Sequence, residues 1–330
     1  MREKVIETIK KNKLIINEDK IVLGVSGGPD SISMLNVLRE IKEEKIIKYE
    51  IVVAHINHLI REEAIEDEEY VKNYCEKNKI KCYIKRIDVQ ELAQNKKIGT
   101  EEAGRRARYK FFDEVLKKTN SNKIAIAHNK NDKIETIIMH MLRGSGLSGL
   151  VGIEPMRDNK YIRPLIECDR EEIEEYCKKE KLEPRIDKTN FENDYTRNKI
   201  RNIVIPYIKK EFNPNIIETM NRLSEVATEE EAYMNKIVKQ TYEKILFDVK
   251  EKKIILKLKE FNEQEEIIKS RLILHTVKVL MGSSEGIEKI HIKDIIKLCK
   301  NNIGNKYLTP NKNLKILVKD KKIFFSSQIV

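Results

Sequence analysis

The chain has 330 residues, 40% of them hydrophobic and 36% charged, with a formal net charge of +11. This length suits two domains, and the balance is that of a globular protein with no apolar stretch long enough to span a membrane. Five scattered cysteines without a C-x-x-C pair suggest neither a zinc nor an iron–sulfur centre, and the start Met-Arg-Glu-Lys-Val-Ile has no signal-peptide core, so a reducing, cytoplasmic setting is expected. The positive charge suits an anionic partner such as nucleic acid, although it is spread along the chain without a basic block.

Residues 21–25 (Ile-Val-Leu-Gly-Val) read as a first strand that stops at Ser26-Gly27-Gly28, with a helical pattern from Pro29. Residues 51–55 are a second strand, 62–78 a charged amphipathic helix, and 82–89 a third strand. Residues 100–118 form a helix that opens on Glu101-Glu102. A fourth strand covers 123–128 and another helix 132–142. Strand–helix alternation over this length predicts an α/β fold with a doubly wound, mostly parallel, Rossmann-like sheet. A glycine-rich loop follows from Arg143, then a short helix at 169–180, irregular chain at 184–192 and a basic helical segment at 194–210. Asn213-Pro214 marks the expected boundary between a domain of residues 1–212 and a smaller, mainly helical domain of 213–330. The second begins with a long helix at 215–247. It continues with a short strand at 254–258, helices at 260–281 and 291–300, and short strands within 306–326.

The turn Ser26-Gly-Gly-Pro-Asp-Ser31 is a phosphate cradle in composition. Its glycines let backbone N–H groups approach an oxyanion, and the helix that follows adds partial positive charge. It has no Walker lysine and no G-x-G-x-x-G, so it suits released pyrophosphate and its metal better than a resting γ-phosphate. An ordinary strand-to-helix turn is the competing reading. His55 and His128 end strands as Ser26 does, and ligands of such sheets bind at the strands' carboxyl ends, so the three should share one rim. His55 can contact a nucleotide there. Zinc at His55 and His58 is disfavoured, because no third ligand is in view and the spacing is not helical. Arg105 and Arg108 share a helix face and offer forks for phosphate oxygens, or form a solvated basic face with Glu101 and Glu102. Asp132 and Glu135, one turn apart at a helix start on the rim, suit either Mg²⁺ or an amine, or are plain N-terminal acids. Arg197, Lys199 and Arg201 read as an RNA-binding or nucleotide-closing element, or as a surface helix.

In order, the motifs are S-G-G-P-D-S (26–31), H-x-N-H-x-x-R (55–61), E-E-A-x-R-x-x-R-Y (101–109), A-H-x-x-x-D-x-x-E-T (127–136), R-G-S-G-L-x-G-L (143–150), R-P-L (163–165), and D-x-x-N with Y-T-R-N-x-I-R (187–201). Together they resemble the tRNA(Ile)-lysidine synthase family of the PP-loop ATP pyrophosphatases. The resemblance implies adenylation of the wobble cytidine of a CAU-anticodon tRNA(Ile) by ATP, then attack by L-lysine, giving lysidine, AMP and pyrophosphate. It implies ATP held by Ser26, Gly27, Gly28, Pro29, Asp30 and Ser31, with His55, His128, Arg143 and Gly144 as further nucleotide contacts. It also implies Mg²⁺ near Asp30 and Asp132, and catalysis by Asp30, Arg108, Asp132 and Glu135. Arg197, Asn198 and Arg201 would meet the tRNA, the domain of residues 213–330 would bind it too, and a homodimer is a family expectation. Where many relatives have a second aspartate this chain has Asn131, and the extra C-terminal domain of longer relatives is expected to be missing. The competing functions are another PP-loop enzyme, such as a tRNA thiolase, and a non-catalytic nucleotide-binding module.

Overall fold

The computed structural model describes residues 1–59, 64–185, 195–301 and 306–327. Arg61 and the Asp187–Asn190 motif lie outside them. The chain divides into two compact units, Met1–Thr228 and Glu229–Val330.

The first unit is a six-stranded sheet between helices. In chain order its elements are α1 (Arg2–Lys11), β1 (Asp19–Gly24), α2 (Pro29–Glu43), β2 (Tyr49–Asn57), α3 (Ala64–Lys77), β3 (Cys82–Arg86), α4 (Val89–Lys96), α5 (Thr100–Thr119), β4 (Lys123–Ile126), α6 (Lys130–Leu142), α7 (Leu147–Val151), β5 (Met156–Arg157), β6 (Tyr161–Ile162) and α8 (Arg170–Lys179). There follow α9 (Thr196–Lys199), a π-helical turn (Ile200–Val204), α10 (Ile205–Glu211) and α11 (Ile216–Ile245). The strand order is β3-β2-β1-β4-β6-β5, parallel except for the β5–β6 pair. The chain steps outward from β1 through β2 to β3, then returns to the other side of β1 as β4. That reversal leaves a crevice at the carboxyl ends of β1 and β4, where such sheets bind ligands. Ile21 and Leu23 on β1 are fully buried with Leu35 and Leu38 of α2. Each such side chain contributes about 1.5–3 kcal/mol of burial, which makes this strand–helix junction a rigid base for the loop between them.

α1, α4, β5 and β6 exceed the sequence expectation. α1 buries Val5, Thr8 and Ile9 along one stripe. The third strand ends at Arg86, because Asp88 caps α4 by accepting from the Glu91 N–H at 2.9 Å. β5 and β6, of two residues each, are too short to carry a period. The two units divide inside α11, and Asn213-Pro214 is instead the turn into that helix. No helix among the described residues is long and apolar enough to cross a membrane.

The second unit contains a five-stranded antiparallel sheet, ordered β7-β8-β11-β10-β9, beside its helices. The elements are β7 (Leu246–Lys250), β8 (Lys253–Lys257), α12 (Leu258–Asn262), α13 (Glu266–Met281), α14 (Lys289–Asn301), β9 (Lys306–Asn311), β10 (Leu314–Lys319) and β11 (Lys322–Ser327). One sheet face carries Ile254, Leu256, Leu314, Ile316, Val318, Ile323 and Phe325, packed in one core with Leu272, Ile273 and Val277 of α13 and Ile295 of α14. Leu246 and Phe247, the end of the helix expected at 215–247, lie instead in β7, which pairs with β8.

Candidate active site

A cleft of about 830 Å³ opens at the crevice, within the range of small-molecule sites. Ser26, His55 and His128 all line it, as their shared position at strand ends requires.

Its floor is the turn after β1. Gly27 has φ +94°, a left-handed conformation in which a side chain is strained, and the backbone of Asp67 and the side chain of Val71 lie directly beneath it. Gly28 caps α2 and Pro29 opens it, a position where the missing N–H costs nothing. The loop is tied by its own serines. The Ser26 N–H donates to Ser31 Oγ at 3.1 Å, the two hydroxyls are 3.2 Å apart, and Ser31 Oγ donates to the Gly28 carbonyl at 3.0 Å. From outside, the Arg185 N–H donates to the Gly27 carbonyl at 3.0 Å, while its guanidinium pairs with Glu66 and, at 3.7 Å, with Asp67. Gly24, at the end of β1, lies against the Phe112 ring, and a Cβ there would come within 2.5 Å of it.

Asp30 faces the cleft from the first turn of α2. Its Oδ1 accepts from Asn129 Nδ2 at 2.9 Å. Asn129 also caps α6, accepting from the Asp132 N–H at 2.9 Å while Asp132 Oδ2 accepts from the Asn129 N–H at 3.0 Å. A single fully buried amide thus ties the phosphate turn to the start of the carboxylate helix. Burial, and then the neighbouring Asp132 charge, push the Asp30 carboxyl up to about 6. Burial alone would raise Asp132 too, but Arg197, the Asn129 N–H and Arg201 hold it below the usual carboxylate range.

Asp132 and Glu135 are brought together, and both are clamped by the two arginines expected to meet RNA. Arg197 donates to Glu135 Oε2 at 2.8 Å and to Asp132 Oδ1 at 3.1 Å. Arg201 donates to both Glu135 oxygens, at 2.6 and 2.8 Å, and to Asp132 Oδ1 at 3.1 Å. The clamp is built by packing: Ile200 and Ile205 join Ile134 and Ile137 of α6 in one apolar cluster. Pro206 has no N–H for the Asn202 carbonyl, and the π-helical turn falls at this break in the α ladder. Arg197 and Arg201 remain one turn apart and on the same face. Arg197 and Arg201, expected to meet the tRNA, are paired with these carboxylates, and Arg201 also lines the cleft. Asn198 is not among the residues lining the cleft.

The histidines are neutral and in opposite tautomers. His55 is 2% exposed, and its Nδ1–H donates to the Val25 carbonyl at 2.9 Å, leaving Nε2 as an unpartnered buried acceptor. Burial lowers its pKa. His128 Nδ1 accepts from Arg163 Nε at 3.2 Å, so its proton is on Nε2, and burial pushes it down to about 4. His58 is also pushed down to about 4, by burial and by Arg108. Arg108 lines the cleft with its side chain open to solvent and has no ion pair among the described residues. Arg143 and Gly144 do not join the site. They are exposed at the C-terminal end of α6, about 20 Å of helix from the cleft. Asn129, Arg163 and Arg185 are the contributors that pattern reading passed over, since their partners lie far away in sequence.

A PP-loop domain model matches residues 1–208. The chain is 49% identical over 308 residues to the tRNA(Ile)-lysidine synthase of Clostridium acetobutylicum, covering 93% of this chain and 66% of that protein. It is 42% identical over 328 residues to the same enzyme of Clostridioides difficile, covering 99% of this chain and 70% of that protein.

The chain belongs to the tRNA(Ile)-lysidine synthase family of PP-loop proteins.

It spans about two thirds of the length of these lysidine synthases. Among solved structures, a U34-tRNA thiolase from Methanococcus maripaludis shares the fold, with a TM-score of 0.55 at 21% identity over 68% of this chain and 77% of the thiolase. Membership in the lysidine synthase family places the cleft in the PP-loop domain, which is where the phosphate turn, Asp30 and the clamped carboxylates lie.

Proposed function

We propose that the chain joins L-lysine to C2 of the wobble cytosine of a CAU-anticodon isoleucine tRNA, converting ATP to AMP and pyrophosphate. The observation that carries this reading is the Asn129 bridge. It joins the phosphate-binding turn that lines the cleft to a buried carboxylate pair, Asp132 and Glu135, which does not itself line the cleft and reaches it through Arg201.

In the first step the cytosine O2 attacks the α-phosphorus of ATP and pyrophosphate leaves. The N–H groups of the Ser26–Ser31 turn and the first turn of α2 receive the departing oxygens. Arg108, which lines the cleft and has no ion pair among the described residues, meets the negative charge that builds at the α-phosphorus. His55 Nε2 as acceptor and the His128 Nε2–H as donor give the cleft two neutral, fixed groups for a nucleobase edge. Asp30 and Asp132 suit Mg²⁺, which relieves their mutual repulsion and which near phosphates needs only one or two carboxylates. When bound, the ion supplies charge neutralisation for the pyrophosphate.

In the second step the lysine Nε attacks C2, the C–O bond to AMP breaks, and AMP leaves. The amine must lose a proton first, because its ordinary pKa is about 10.4. Asp132 and Glu135 would orient the ammonium and receive its proton, the ammonium exchanging with one arginine fork so that the charge balance is kept.

The test is AMP formation from ATP with an unmodified isoleucine tRNA transcript and lysine, against a methionine tRNA control. The expected result is AMP that requires both lysine and the isoleucine transcript, with lysine incorporated into the RNA. AMP formed with sulfide or ammonia in place of lysine overturns the reading, as does no AMP at all.

A further inference from the structure

We infer that Arg163 is a positioning residue: it holds His128 as a neutral hydrogen-bond donor for N3 of the wobble cytosine, and so sets the choice of cytosine over uracil. The inference rests on the proposed reaction and assigns a role to the R-P-L motif, which that reaction leaves unused. Arg163 follows β6 directly and therefore sits at the same sheet end as His128, which lies just beyond β4, the parallel neighbour of β6. Leu165, two residues on, is fully buried in the core and anchors this stretch. Arg163 is only 5% exposed, yet it makes no ion pair among the described residues. Its Nε donates to His128 Nδ1 at 3.2 Å and its Nη1 to the Glu154 carbonyl at 2.5 Å.

Burying a guanidinium without a carboxylate is costly, and packing alone does not call for it. What arginine supplies is a group that only donates and that stays charged at every working pH. Facing it, His128 Nδ1 can only accept, and the single proton of the ring stays on Nε2. The positive charge also opposes a second proton on the ring. His128 lines the cleft, where Asp132, Arg197 and Arg108 are near enough to act on its charge. In the proposed reaction Arg108 marks the α-phosphorus and Asp132 the amine, so C2 of the base lies between them, and N3 is bonded to C2. A fixed Nε2–H there meets the lone pair of cytosine N3 but opposes the N3–H of uracil. It also occupies the most basic ring atom of cytosine and leaves O2 as the nucleophile. In the opposite tautomer Nε2 would be an acceptor, and the preference would turn towards uracil.

The test uses the intact chain with isoleucine transcripts that carry cytosine or uracil at the wobble position. Affinity for each, and AMP formation with each, are measured in the parent, Arg163→Met, Arg163→Lys and His128→Leu. Ring-nitrogen NMR reads the His128 tautomer, its signals assigned by their loss in His128→Leu. The parent is expected to bind the cytosine transcript about tenfold or more better, the usual consequence of setting a buried donor against another donor. In Arg163→Met the Nδ1-protonated ring should appear and the preference should fall to within about twofold. Lysine at this position keeps a charged donor and should restore most of the preference. His128→Leu leaves Arg163 in place and should also erase the preference, so it carries the test if the methionine variant does not fold. No preference in the parent, or a parent-like preference in Arg163→Met or His128→Leu, overturns the inference. So does an equal loss of affinity for both transcripts in Arg163→Met, which would make Arg163 a packing residue. AMP absent in the parent with the binding preference intact would refute the proposed reaction alone.

Discussion

The two units carry positive charge in opposite ways. In the first, arginines at the cleft are spent on carboxylates: Arg197 and Arg201 on Asp132 and Glu135, and Arg185 on Glu66 and Asp67. Of the arginines lining the cleft, Arg108 alone has no ion pair among the described residues; Lys178, also on the lining, likewise has none. In the second unit, Lys253, Lys315 and Lys322 lie over the rings of Phe324, Tyr307 and Phe247 with their charge unneutralised. The contrast teaches what each arrangement suits. Paired charges hold fixed geometry for chemistry, whereas unneutralised ones attract a polyanion from solution. Removing Arg108 should therefore damage the reaction and leave RNA binding almost alone. Arg108→Ala is expected to slow AMP formation on the order of 10²- to 10³-fold, the usual cost of losing a transition-state charge partner. RNA affinity should change no more than about twofold. An equal loss in both measurements would break the comparison.

Glu135→Gln sharpens it on the amine side. The substitution keeps shape but halves the charge that Arg197 and Arg201 share, at a residue only 1% exposed. The expected outcome is a lysine KM raised about tenfold or more, with tRNA-dependent ATP–pyrophosphate exchange within a few-fold of the parent. A large loss of exchange at unchanged lysine KM would mean that these carboxylates serve the activation step instead. Retained exchange also serves as the fold control, since breaking a buried ion pair costs stability.

Gly24→Ala asks whether the cleft floor depends on packing from behind. The added Cβ meets the Phe112 ring, which is itself buried in the core between the sheet and α5. Overpacking of this kind costs about 1–3 kcal/mol. Urea unfolding should show a lower midpoint, and Phe112→Leu in the same chain should recover part of it.

How much of this was legible in the sequence follows from distance along the chain. The S-G-G-P-D-S turn and the strand–helix alternation are local patterns, and both appear where they were read. Asp88-x-x-Glu91 is also local and carries the cap of α4, yet it lay within an apparent strand. The role of Gly24 depends on Phe112, the tautomers of His55 and His128 on Val25 and Arg163, and the pairing of Arg197 and Arg201 on α6. No local spacing encodes any of these. An arginine in a basic segment reads the same whether it meets phosphate or carboxylate, which is why these two were assigned to RNA. The lysine–ring pairs of the second unit were hidden for the same reason, because they assemble from five strands whose order is not the chain order.

The smallest expected effect concerns acid. His58 and His128 are neutral in the folded cleft with pKa values near 4, against about 6.5 in the unfolded chain. Below pH 6.5 the unfolded chain binds protons that the folded cleft refuses, so stability rises with pH across this window. Their contribution is complete above about 6.5 and falls progressively as the pH drops toward 4. The unfolding midpoint in urea should therefore decline from pH 7.5 to 5 more steeply in the parent than in a His128→Gln variant. In glutamine the side-chain oxygen can still accept from Arg163, and the group no longer titrates. An identical decline in both would place the acid sensitivity elsewhere. The nearest candidates are His58 and His55, which line the same cleft, remain in the variant and are also lowered by burial, and that result would assign the acid response to them.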